Sequence, residues 1–127
     1  MLGFLEVGKL KKLFYKNDNN MAYAVLIKNN LLVLMENGFT KSSRRPVNDK
    51  WVAASCSEKW IVAVTAKNKI YVYETKGMAG KGFLSPPPAM KAAPTGVCVS
   101  GDTATVMYAN GRAKYFSKLP SSAGKVI

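Results

Sequence analysis

The densest group of side chains able to do chemistry is Lys41-Ser42-Ser43-Arg44-Arg45, closed by Pro46. Serine hydroxyls beside ammonium and guanidinium groups suit phosphate or carboxylate oxygens, and Arg offers a bidentate fork to either. Lys9, Lys11 and Lys12 make a second basic group, and Arg112 with Lys114 a third, just after Asn110-Gly111. Tyr71 and Tyr73 alternate in one segment, so as a strand they share a face; Tyr115 stands in a comparable segment further on. Aromatic faces beside basic groups are stacking platforms for nucleobases, although packing between elements is the commoner use of such rings.

These residue types point to anion binding rather than turnover. The chain has no histidine, which removes the usual general base, the Ser-His and Cys-His pairs, and the commonest metal ligand. The seven acids, Glu6, Asp18, Glu36, Asp49, Glu58, Glu74 and Asp102, form no D-x-D or E-x-x-E cluster. A two-carboxylate mechanism would need folding to bring distant groups together. Residues 77–82 are glycine-rich and contain Lys81, but the G-x-x-x-x-G-K-[ST] spacing of a phosphate loop is missing, so they read as a flexible hairpin tip. No Cys/His metal spacing occurs. The expectation is therefore no catalytic residue, no metal and no cofactor. Cys56 and Cys98 are too few for a disulfide framework and read as buried free thiols; a bridge between them would need an oxidising compartment.

Over 127 residues, 19 Lys and Arg stand against those seven acids, for a net charge of +12. A positive field of that size favours anionic partners, either nucleic acid or an acidic protein face, and does not choose between them. No apolar run approaches the roughly 20 residues that cross a bilayer. The first residues lack an early basic stretch and Glu6 interrupts their apolar segment, so no signal peptide is expected and the expected compartment is the cytoplasm.

The elements that must position these groups are strands. Two apolar runs, 21–27 and 31–35, flank Asn29-Asn30 and predict a hairpin. Because each run is nearly continuous, both strands are expected to be buried on both faces. The pattern recurs as 60–66 and 70–73 around Lys67-Asn68-Lys69, and again as 103–108 and 112–116 around Asn110-Gly111. Lys28-Asn29-Asn30-Leu31-x-Val33 matches Lys67-Asn68-Lys69-Ile70-x-Val72, a shift of 39 residues, and Asn68 lies 42 residues before Asn110.

A period near 40 built from hairpins resembles that of the β-propeller superfamily, whose WD40-like blades take about 40–45 residues and four strands each. The resemblance covers nearly the whole chain. No Trp-Asp dipeptide ends a third strand and no Gly-His opens a blade, so it carries no functional residues with it. It implies an all-β half-propeller of about three four-stranded blades in a single domain, with units 9–46, 51–88 and 95–127. First strands are expected at 9–16, 51–57 and 95–100. Fourth strands begin at Gly38-Phe39-Thr40 and Gly82-Phe83-Leu84-Ser85, and the last is missing or reduced to the tail 121–127.

Residues 1–8, with Gly3-Phe4-Leu5-Glu6 resembling Gly82-Phe83-Leu84-Ser85, are read as a closing strand, in preference to an amphipathic helix over 2–14. Three blades leave open sheet edges, and a homodimer making six blades is the simplest repair. A β-sandwich or barrel is the alternative fold. Ser85 to Pro94, with Pro86-Pro87-Pro88, reads as a long surface loop. Trp51 and Trp60 raise the alternative of a carbohydrate-binding lectin, weakened because neither repeats in every unit.

Overall fold

A computed structural model describes residues 2–7, 10–15, 22–86 and 92–127, the first two stretches through their strand pairing alone. Among these the chain is all β, and every strand pair is antiparallel. Strands β1 (Leu2–Val7) and β2 (Leu10–Tyr15) form a hairpin. A first sheet follows in the order β3 (Tyr23–Lys28), β4 (Leu31–Glu36), β5 (Phe39–Arg44). A second sheet runs β6 (Trp51–Cys56), β7 (Trp60–Thr65), β8 (Ile70–Glu74), β9 (Gly80–Leu84). A third runs β10 (Pro94–Ser100), β11 (Thr103–Tyr108), β12 (Ala113–Phe116), β13 (Gly124–Val126).

Residues 2–7 and 10–15 are therefore strands, not a helix. The strand expected to open the first unit, β2, pairs with β1 from Leu2↔Tyr15 to Val7↔Leu10 instead of joining β3. The first sheet thus has three strands, not four, and β1 pairs with β2 along one edge. The third sheet draws its fourth strand from its own tail, as the short β13. Pro94 opens β10 rather than ending a loop, and residues 87–91 of the proline-rich stretch lie outside the described residues.

Two apolar cores separate three sheets. One, built on Leu32, Leu34, Trp51, Ile61, Ala63, Tyr73 and Met78, lies between the first and second sheets. The other includes Val62, Val64, Ile70, Val72, Val106 and Phe116 and lies between the second and third. Alternation along β7 explains the division: Ile61 and Ala63 point one way, Val62 and Val64 the other. The expectation of burial on both faces holds for Leu32-Val33-Leu34 of β4 and fails for β3, where Ala24, Leu26 and Lys28 are exposed. The second sheet has a neighbour on each side; on β3, the face away from the second sheet stays open.

The units repeat more closely than the sequence alignment suggests, at other offsets. Lys50 O accepts from Ala66 N and Ala93 O from Ala109 N, at 2.8 and 2.9 Å. Register shifts fall at Trp51/Ala53 in β6 and at Pro94/Gly96 in β10. Both features set the shift between the second and third units at 43 residues, which matches Asn68 (φ 62°) to Gly111 (φ 81°) and Ala63 to Val106. The 42-residue shift read from Asn68 and Asn110 would send every core residue to the wrong face, since strand side chains alternate.

The first unit differs by one turn residue. Asn29-Asn30 is a two-residue turn with both φ positive, at 51° and 57°, whereas Ala66-Lys67-Asn68 is a three-residue turn closed by Lys69 O accepting from Thr65 N at 3.0 Å. Asn110-Gly111 likewise belongs to a three-residue turn, with Tyr108 N donating to Arg112 O at 2.9 Å, and only Gly111 has a positive φ.

Residues 77–82 are not a free tip. Met78 is fully buried between the first and second sheets, and its carbonyl accepts from Arg44 Nη2 at 2.8 Å. Cys56 and Cys98 are both free thiols; Cys56 is half-buried, while Cys98 is exposed because it sits on the outer face of β10.

Candidate anion-binding end of the sheets

Antiparallel pairing puts the β3–β4, β7–β8 and β11–β12 turns at one end of the sheets, together with the connection 45–50 and, on either side of the next connection, residues 85, 86, 92 and 93. The remaining turns lie at the opposite end. Charge divides between the two ends. Lys28, Arg45, Lys50, Lys67, Lys69 and Arg112 are exposed at the first end, with Asp49 as the single acid among the described residues there. The opposite end mixes signs: Lys59, Lys76, Lys81 and Lys118 stand with Glu36, Glu58, Glu74 and Asp102. There Lys81 Nζ pairs with Glu74 Oε1 at 2.9 Å, and Lys59 Nζ lies 3.9 Å from Asp102 Oδ2. Among the described residues placed at the two ends, the excess of positive charge therefore stands at the first.

Hydrogen bonds made by Asn30 and Asp49 hold that end in shape. Asn30 Nδ2 donates to Asp49 O at 3.1 Å, and Asn30 Oδ1 accepts from Trp51 N at 2.9 Å. Asp49 Oδ1 accepts from the N–H of Lys50 and of Lys67, at 2.8 and 3.2 Å. Asn suits position 30 twice over, since it tolerates a positive φ and offers both a donor and an acceptor. Asp49 spends its charge on backbone amides, which anchors the turn between two of the basic residues.

The expected site residues scatter. Lys41, Ser42, Ser43 and Arg44 lie in β5, not in a loop, so alternation splits them. Lys41, Ser43 and Arg45 are exposed, while Ser42 and Arg44 turn toward the second sheet. Arg44 bridges to Met78 O, and its own carbonyl accepts from Trp51 Nε1 at 3.1 Å. Arg112 is exposed at the basic end. Lys114 is 8% exposed; its Nζ donates to Ser85 O at 3.0 Å and sits 5.3 Å from the centre of the Phe116 ring. Both contacts are internal, because β12 turns Lys114 toward the second sheet. Lys11 and Lys12 are paired in β2 with Glu6 and Leu5. Lys9 lies outside the described residues.

The tyrosines are placed by packing. Tyr73 is buried and lies parallel to Tyr71, with ring centres 6.3 Å apart. Tyr71 meets Trp51 edge-on at 5.1 Å. Tyr115 is half-buried on the outer face of the third sheet, between Thr105 and Lys125. Trp51 is 6% exposed, which leaves no ring face for a sugar. Trp60 donates to Asp102 Oδ1 at 2.9 Å. Glu58 and Asp102 share a depression of about 390 Å³ at the mixed-charge end, while Asp49 lies at the other. Among the described residues, no three of His, Cys, Asp and Glu come together as a metal site.

Sequence reasoning missed Lys28, Lys50, Lys67 and Lys69 as a group, and it missed Phe83. A signal for the lysines was present: basic residues adjoin the Asn or Gly turn in each unit, as in Lys28-Asn29, Lys67-Asn68-Lys69 and Gly111-Arg112. No protein-family model matches the chain, and no curated protein matches it either.

Proposed function

We propose that this chain is a non-catalytic binding module whose basic end recognises an anionic macromolecule, either nucleic acid or an acidic protein face. The division of charge between the two ends carries this reading. Six cationic side chains project from turns that the sheets hold rigid, so the partner meets a fixed pattern of charge and encounter is steered by the field. Screening follows from the same physics, because exposed charges more than about 8 Å apart are largely screened at physiological ionic strength.

The test is a salt-gradient pull-down from lysate with and without nuclease. Partners that elute as salt rises support the reading, and nuclease sensitivity divides nucleic acid from acidic protein. Retention indifferent to salt, or loss of no partner when Lys28, Lys50, Lys67 and Lys69 are changed to Gln, overturns it.

The same proposal includes a propeller-like ring closed by a second copy. Its support is register. Leu26, 40% exposed on the first sheet, holds the place of Ala63 and Val106, which are fully buried in the second and third. Met107, 39% exposed on the third sheet, holds the place of the buried Val64. Packing the outer face of each third sheet on the first sheet of the other copy would cover both and give six blades. A twofold along the ring axis would then put both basic ends on one side of the ring. Light scattering at micromolar concentration tests this: a dimer that Leu26→Asp and Met107→Asp each dissociate is expected, and a monomeric mass for the unaltered chain sinks the closure.

A further inference from the structure

We infer that the basic end carries a stacking site for single-stranded nucleic acid, centred on Phe83 and flanked by Lys67 and Lys69; this rests on the anion-binding reading above. Lys67, Asn68, Lys69, Phe83 and Pro86 line a single open depression of about 330 Å³. Phe83 is 62% exposed on the edge strand β9, whereas the adjoining Leu84 is 1% exposed.

Its exposure has a structural cause. Between Tyr71↔Phe83 and Tyr73↔Gly80 the register of β8 with β9 slips, and Gly82 takes a φ of 92°. Such a bulge at a sheet edge re-aims the following side chain. Phe83 then stands edge-on to Tyr71, ring centres 4.7 Å apart at 65°, which holds its plane while leaving a face open. A held aromatic plane with ammonium groups beside it offers a base its π-face and the adjoining phosphates their counter-charges. An acidic peptide would use the lysines and leave the ring idle, so the ring favours nucleic acid. Neither Tyr71 nor Tyr73 can serve in its place, since both are committed to the packing against Trp51 and each other.

The experiment measures fluorescence anisotropy of the full chain with a labelled ten-nucleotide oligothymidylate and, in parallel, with a labelled decaglutamate. The variants are Phe83→Ala, Lys67→Gln/Lys69→Gln, and Phe39→Ala as an exposed-ring control at the opposite end. Thermal unfolding confirms that each variant is folded. A stacked base is worth about 1–3 kcal/mol, so Phe83→Ala is expected to weaken oligothymidylate binding by about 5- to 150-fold. Decaglutamate binding and the Phe39→Ala control stay unchanged, while the lysine pair weakens both ligands. If Phe83→Ala leaves oligothymidylate binding intact while the lysine variant reduces it, the stacking site is overturned and the charged end survives. If the unaltered chain binds neither polyanion at low salt, the anion-binding reading itself falls.

Discussion

The phenol of Tyr108 on β11 donates to Asn68 Oδ1 in the β7–β8 turn, 2.7 Å away, and so ties the third sheet to the second at the basic end. Asn68 holds the turn open with a φ of 62°, and the same side chain receives the bond. Tyr108→Phe is expected to cost about 1 kcal/mol, a fall of about 4 °C in Tm. In an Asn68→Gly background, which keeps the left-handed turn but lacks the acceptor, the same change should cost much less. Equal losses in both backgrounds, measured by urea unfolding, would show that the bond contributes nothing.

Alkali should destabilise the protein through its buried thiol and phenols. Burial pushes the Cys56 thiol and the Tyr73 and Tyr108 phenols above their ordinary values of 9.0 and 10.0. Near Tyr73 the charge of Tyr71 adds to this and Arg44 opposes it; for Tyr108 the bond to Asn68 opposes it. Each folded pKa exceeds its unfolded one, so the folded state holds its protons more tightly. The resulting stability is complete below pH 9 and declines as pH rises past 9 and 10 toward the folded values. Denaturant midpoints at pH 7, 9, 10 and 11 should be level up to 9 and fall thereafter; a flat profile to pH 11 refutes the assignment.

Two glycines should respond oppositely to the same change. A Cβ on Gly124 would lie 2.7 Å from Tyr115 O, a backbone atom that cannot retreat without breaking the β12–β13 pairing. A Cβ on Gly96 would meet Met107 Cε at 3.0 Å, the flexible end of an exposed side chain. Gly124→Ala should release β13, seen as loss of amide-exchange protection at Lys125 and Val126, while Gly96→Ala should leave Tm within about 1 °C.

Lys114 separates stability from binding. Lys114→Met keeps the aliphatic stem over Phe116 and removes the bond to Ser85 O, leaving that carbonyl to water or unpaired. A loss of about 1–2 kcal/mol is expected, with no change in the salt dependence of partner binding. A reduced salt slope in Lys114→Met would place this ammonium at the partner surface after all.

What the sequence determined by itself is local. Apolar runs broken by Asn29-Asn30, Asn68 and Asn110-Gly111 predict hairpins, because turn chemistry and strand propensity act between near neighbours. The excess of Lys and Arg predicts a positive field, because charge adds whatever the fold.

Only the tertiary structure decided which face each strand presents. Near-continuous runs such as Ile61-Val62-Ala63-Val64 look alike from either side, and one extra residue in a turn reverses every side chain after it. The 42-residue match of Asn68 to Asn110 failed by a single residue for another reason: in turns of equal length Asn110 takes the place of Lys67, and Gly111 that of Asn68. The same step decided which cations are free. Lys114 and Arg44 read as surface groups until packing turned them inward, and Lys67, Lys69 and Phe83 gathered only because β7, β8 and β9 fold back on one another at one end. Such gathering depends on contacts between elements distant along the chain, and no local pattern encodes it.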